Sequence, residues 1–191
     1  MNLILASQSP RRKELLSLFH IPFTVQVADI DEAMDPGKDP AAEVARVSRA
    51  KAEAIPRKEE DVVIAADTIV VLDGLVLGKP KDKAHATAML TALSGKDHQV
   101  MTGVTVARGN TLLTHTEITH IHFRKLSQKE IAAYVATGEP MDKAGSYGIQ
   151  GGAALFAEKM NGDYYNVMGL PVCRLYQMLQ QIAPEIMEDT Q

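Results

Sequence analysis

The stretch VVIAADTIVVL, residues 62–72, constrains this chain more than any other, because every residue in it except Asp67 and Thr68 is apolar and most are β-branched. Such a run, closed by Asp73-Gly74, predicts a buried central strand ending in a tight hairpin. Asp67 falls about halfway along it. An ionised carboxylate left there without a partner costs several kcal/mol, roughly, so a cation or hydrogen bonds must compensate it. A metal-ligand or general-base role answers that requirement, and so does a hydrogen-bonded Asp at a strand bend.

The rest of the pattern surrounds this strand with shorter elements. Leu3 to Ala6 reads as a short buried strand, and Ser9 with Pro10 fits the cap and first position of a helix carrying Leu15, Leu16 and Phe19. Phe23 to Val27 alternates like a second strand. An acidic loop from Asp29 to Asp39 then leads to a helix opened by Pro40 and ended by Pro56. Helices are expected over Asp82 to Leu93, from the capping-box sequence Ser127-Gln128-Lys129-Glu130 to about Gly138, and from Leu170 to about Ile182. Strands are expected over Gln99 to Ala107 and Thr111 to Phe123, and a hairpin around Asn161-Gly162. Hairpins interleaved with helices predict an α/β protein with a mixed twisted sheet and flanking helices.

At 191 residues, 46% hydrophobic and 23% charged, the chain has the composition of a globular protein. One domain, of one or two lobes, is expected over residues 1–184, with 185–191 a loose polar tail. Cys173 is the sole cysteine and has no disulfide partner, which suits a reducing compartment. No basic leader precedes the first apolar residues, and no apolar run reaches the roughly 20 residues of a membrane span. The expectation is a cytoplasmic protein without a membrane partner. A net charge of −4 argues against a broad nucleic-acid surface. Any anion site is therefore local.

Several residues could form such a site. Ser7-Gln8-Ser9-Pro10-Arg11-Arg12 puts hydroxyls, free N–H groups and two guanidiniums where a strand turns into a helix, which suits an anion or an ordinary helix start. Lys51 falls inside the apolar stripe of Val44, Val47, Ala54 and Ile55, so its charge needs an anion or a route to water. Lys79, between Gly78 and Pro80, is a fixed cation suited to a phosphate. The segment from Gly138 to Gly152 is glycine-rich and polar, as a substrate-embracing loop or a flexible surface loop would be. His115, His120 and His122 lack a carboxylate at a depth that would complete a metal site.

Taken in order, Ala6-Ser7-Gln8-Ser9-Pro10-Arg11-Arg12, Ala50-Lys51-Ala52, Ala66-Asp67-Thr68, Gly78-Lys79-Pro80, the segment Asp142 to Gly151, and Gly169-Leu170-Pro171 resemble the Maf family of nucleotide pyrophosphatases. The resemblance runs from residue 3 to about 180. It implies an ITPase-like fold with two lobes around a cleft, a divalent cation (magnesium or manganese), hydrolysis of a nucleoside triphosphate to monophosphate and pyrophosphate, and a homodimer. It further implies Asp67 as base and metal ligand, Glu32 as a second ligand, and Ser7, Arg11, Arg12, Lys51 and Lys79 as triphosphate contacts. Arg12, Thr68 and Gln150 match the branch of the family that acts on dTTP and UTP. A non-catalytic nucleotide-binding regulator of cell division and a purine house-cleaning enzyme remain as alternatives.

Overall fold

A computed structural model describes residues 1–188 of the chain. Among them, strands β1 (Leu3–Leu5), β2 (Phe23–Val25), β3 (Val62–Leu72), β4 (Leu75–Leu77), β5 (Asp97–Arg108), β6 (Thr111–Phe123) and β7 (Ala157–Asn161) form one sheet. Its order is β2-β1-β3-β5-β6-β7, with β4 also paired to β3. β1 runs parallel to both β2 and β3, whereas β3 with β4 and β6 with β7 are antiparallel. The sheet is therefore mixed, as the alternation of hairpins and helices predicts.

Asp73 and Gly74 make the β3–β4 turn with φ of 51° and 80°. Both values are positive, as the two-residue turn that matches strand twist requires. The helices are α1 (Pro10–Ser17), α2 (Pro40–Glu53), α3 (Lys83–Leu93), α4 (Gln128–Ala136), α5 (Tyr164–Met168), α6 (Val172–Ile182) and α7 (Glu185–Glu188). Ser127 and Glu130 form the expected reciprocal capping box on α4.

The chain divides into two compact units, one comprising Met1–Asp67, Thr102–Glu117 and the described residues from Gly169 onward, the other Thr68–Met101 and Ile118–Met168. In the first unit one face of α2 is fastened to the sheet at regular spacing. The Thr116 hydroxyl donates to the Ala41 carbonyl at 3.0 Å, and the buried Ser48 and Thr105 hydroxyls share a hydrogen bond of 2.9 Å. Between these, Gly103 meets the Val44 carbonyl backbone to backbone, where a Cβ would lie 2.4 Å from the carbonyl oxygen. Lys51 continues the same face, since residues 41, 44, 48 and 51 recur at helical spacing. A helix so close to the sheet leaves its interfacial side chains little choice of direction.

In the second unit α3 and α4 cover a core of Leu90, Leu93, Phe123, Ile131 and Phe156. Buried inside it, His98 Nε2 and the Tyr147 hydroxyl share a 2.8 Å hydrogen bond, and Phe123 packs edge-on against both rings. Burial holds the His98 imidazole down to about 4.

Two expectations differ from the structure. No hairpin forms at Asn161-Gly162: β7 pairs with β6, and the chain then enters α5. Side-chain bonds capture it there. The Thr119 hydroxyl donates to the Asp163 carbonyl at 2.9 Å, and the buried Asn166 amide donates to Val100 and to Thr119. Residues 185–188 are also not loose: Glu185–Glu188 is helical, Ile186 is buried and Glu185 pairs with Arg108. Residues 189–191 lie outside the described residues.

Two measurements test this packing. Gly103→Ala should destabilise the protein by about 1–3 kcal/mol in urea denaturation, because the helix must move off the sheet to admit a methyl group. His98 binds a proton in the unfolded chain below its ordinary value near 6.5 but stays neutral in the folded one down to about 4. Stability should therefore fall as pH drops from about 6.5 to about 4, by up to roughly 3 kcal/mol, and level off below. That component of the pH dependence should vanish in His98→Gln.

Candidate active site

Six of the residues expected to carry chemistry lie in the first unit, on the β1–α1 connection, α1, α2, β3 and the acidic loop. Helix α1 begins where β1 ends, with Pro10 at its first position and the Ser9 hydroxyl accepting from the Arg12 N–H at 3.4 Å. The Ser7 hydroxyl is 8% exposed and accepts from the Ser9 N–H at 3.2 Å and from Arg12 Nη1 at 3.4 Å. Arg12 Nε also donates to the Gly169 carbonyl at 2.8 Å, so the start of α1 is tied to the Gly169-Leu170-Pro171 segment. That contact accounts for the first residue of a motif whose role sequence alone did not indicate.

Burial pulls the Arg12 guanidinium below its ordinary range, while the Asp67 and Glu32 carboxylates oppose that shift and the Arg11 cation adds to it. Arg11, Glu32 and Asp67 thus all lie within electrostatic reach of Arg12. Asp67 and Thr68 are the partly exposed positions of β3, whose other residues are buried. The break in the apolar run marks where the strand reaches solvent.

Lys51 supplies the compensating charge. Its Nζ, on a residue 8% exposed, donates to Asp67 Oδ1 at 2.7 Å and pairs with Glu32 Oε1 at 3.1 Å. An ammonium in the apolar stripe of a helix and a carboxylate in an apolar strand each solve the other's burial. Snorkelling does not describe this lysine, since its charge ends on two anions.

Sequence reading missed what holds Glu32. Arg46 Nη2 donates to the Ala33 carbonyl at 2.7 Å, and the Asp35 N–H donates to Glu43 Oε2 at 2.9 Å, so the loop is clasped to α2 on the C-terminal side of Glu32. Arg46 itself binds Glu43 at 3.0 Å. Arg46 foremost, and then the Asp35 N–H, hold the Glu43 carboxyl down to about 2. The Glu43/Arg46 spacing on one helix face was the available signal.

Thr68, Lys79 and Gln150 belong to the second unit. Lys79 and Gln150 are exposed, and the Gly145 N–H donates to the Gly78 carbonyl at 3.1 Å, joining their two segments. The glycine-rich segment is not a loose surface loop: it winds through three short 3-10 turns and buries Pro140, Ser146, Tyr147, Ile149 and Ala153. His115 pairs with Glu117, His122 with Asp97 and Glu158, and His120 is exposed.

The model of the family described as Maf-like protein matches residues 2–182. The chain belongs to the Maf family. Among curated Maf-family relatives, a dTTP/UTP pyrophosphatase from Symbiobacterium thermophilum is 53% identical over 95% of this chain and 94% of its own length. One of the same name from Bacillus pumilus is 51% identical over 93% of this chain and 95% of its own length. A solved structure of a HAM1 protein from Coxiella burnetii is 15% identical with a TM-score of 0.50, over 95% of this chain and 99% of that one, a likeness of fold.

The donor chemistry of this Maf-family site fits a divalent cation. Asp67 Oδ1 and Glu32 Oε1 already converge on a single cationic atom, and both are hard oxygen donors. Among the described residues no group of three or more His, Cys, Asp or Glu side chains is gathered as a metal site. Two carboxylates completed by phosphate oxygens and water is the arrangement typical for magnesium.

The Lys51–Asp67 pair is testable on its own. Lys51→Met combined with Asp67→Asn should destabilise the protein by less than the sum of the two separate effects. The expected coupling is about 1–3 kcal/mol in a double-mutant cycle by urea denaturation at neutral pH.

Proposed function

We propose that this chain is a divalent-metal-dependent nucleoside triphosphate pyrophosphatase that hydrolyses dTTP and UTP to the monophosphate and pyrophosphate. The observation that carries the reading is the convergence of Asp67 and Glu32 on one cationic centre, at 2.7 and 3.1 Å from Lys51 Nζ, with Arg12 within electrostatic reach of both carboxylates. Its support in kinship is the shared name of relatives about half identical over nearly their whole length.

In this reading the Ser7 hydroxyl, Arg11, Arg12, Lys51 and Lys79 hold the triphosphate. A fixed cation about 4 Å from a phosphate oxygen contributes roughly 4 kcal/mol at an effective dielectric near 20, before desolvation is subtracted. Several such contacts suffice to position it. Asp67 accepts the proton of the water that attacks the α-phosphorus, and the pyrophosphate leaves with its charge matched by the surrounding cations. Magnesium or manganese, bound by Asp67 and Glu32, supplies Lewis-acid polarisation of the phosphate oxygens. Lys51 Nζ, released from those carboxylates, turns its three donors to the phosphates. Arg12, Thr68 and Gln150 set the nucleobase preference. The homodimer implied by the resemblance and the cytoplasmic location expected from the lone cysteine belong to this proposal, and sedimentation checks the dimer.

The test is pyrophosphate release from dTTP, UTP, ITP and 7-methyl-GTP with magnesium or manganese. Turnover of dTTP and UTP above the other two is expected. Asp67→Asn should remain folded and lose at least about 10²–10⁴ in rate, the typical loss for a positioned base. Near-normal turnover in that variant overturns the assignment, and a preference for ITP assigns the chain to purine house-cleaning instead. Absence of release from every nucleotide, with binding retained, makes it a regulator.

A further inference from the structure

The second unit contains a polar cluster that the reaction above does not use. Near the C-terminal end of α4 the Tyr134 hydroxyl donates to Glu139 Oε1 at 2.9 Å, and its oxygen accepts from the Gly148 N–H at 3.2 Å. Glu139 Oε2 accepts from the Gly152 N–H at 3.1 Å. The Gly151 N–H bonds to the Gly148 carbonyl at 3.1 Å, closing a four-residue turn whose central residues are Ile149 and Gln150. Ile149 is buried beneath that turn and Gln150 stands exposed on it.

Tyr134 and Glu139 therefore hold the two flanks of the turn that presents Gln150. The fit is close. A Cβ on Gly151 would lie 1.9 Å from Glu139 Oε1, and one on Gly152 would lie 3.1 Å from the Tyr134 ring. Tyr134 is itself fixed, with its ring edge-on to Phe156 at 5.2 Å, and burial foremost raises its hydroxyl above the ordinary range, keeping it a donor. From the other side, Lys143 Nζ donates to the Glu139 carbonyl at 3.0 Å. A half-buried carboxylate that accepts from a tyrosine and from a backbone N–H within one glycine-rich segment is more than a solubilising surface charge. It fixes the height and rotation of a single turn.

We infer that Glu139, acting with Tyr134, is a positioning residue for nucleobase selection: it sets the geometry of the turn at Gly148–Gly151 and so the direction of the Gln150 amide. This rests on the reading of Gln150 as a specificity residue. An amide side chain discriminates nucleobases by matching donors to acceptors, and small displacements spoil that match.

Glu139→Gln keeps the shape but forces one of its two partners to face an NH2 group. Gly151→Ala attacks the same contact from the turn, by steric displacement. Both should raise the KM for dTTP and UTP and reduce the preference for them over ITP by about tenfold, with kcat changed less than threefold, as expected when orientation of the bound base is lost and the reacting atoms are untouched. Glu139→Asp, a shorter carboxylate, should restore part of the preference.

Gln150→Glu is measured in the same nucleotide panel. A changed profile in Gln150→Glu, with unaltered KM and preference in Glu139→Gln and Gly151→Ala, overturns the inference and leaves the reading of Gln150 standing. An unaltered profile in Gln150→Glu removes that reading and the inference with it. Equal losses for all four nucleotides, tracking a lowered thermal midpoint, would make Glu139 merely structural and also overturn the inference.

Discussion

Much of the first unit is organised around the contact of 2.7 Å between Lys51 Nζ and Asp67 Oδ1. Neither charge could be buried alone. The carboxylate interrupts an apolar strand and the ammonium interrupts an apolar helix face, and each is tolerated because the other is in reach. Bringing them into reach demands that α2 lie close on the sheet. That is what Gly103 permits by having no side chain, and what Thr116 and Ser48 secure by hydrogen bonding. Glu32 joins as a second carboxylate, so that one ammonium faces two anions. A divalent cation is the natural replacement for a single positive charge in such a place.

The central strand and the Asp67 anomaly were legible in the sequence because a long apolar, β-branched run leaves few alternatives and any charge inside it stands out. Lys51 was legible for the same reason. Its partners were not, since the chain does not say which carboxylate a buried ammonium will meet. The caps on α1 and α4 were readable from local chemistry. Asn161-Gly162 reads as a hairpin because Asn-Gly is a strong local signal, while Thr119 and Asn166, which redirect the chain, act from far along it or from within the following helix. By composition alone the glycine-rich segment reads equally as a substrate-embracing loop or a flexible surface loop. Its order comes from Glu139 and Tyr134, whose partners are backbone N–H groups and so leave no mark in the pattern of side chains.

The two units manage polarity differently. In the first, charges are gathered around a few anchors, and their mutual attraction offsets the cost of desolvation. In the buried core of the second, neutral hydrogen bonds and aromatic edges do that work, as at His98, Tyr147 and Phe123, and the charged Glu139 sits at the margin of that core. A charged centre adapts to whichever ions occupy it. A neutral aromatic core keeps its shape.

Asp67 and Thr68 are neighbours on β3, and successive side chains of a strand point to opposite faces. One peptide bond therefore separates the residue assigned to chemistry from one assigned to substrate choice. Insertion or deletion of a single residue between Val62 and Asp67 would exchange the two faces along the rest of the strand. This stretch can drift in which apolar residue it uses at each position, yet its length is fixed, and change at position 68 has to proceed by substitution alone.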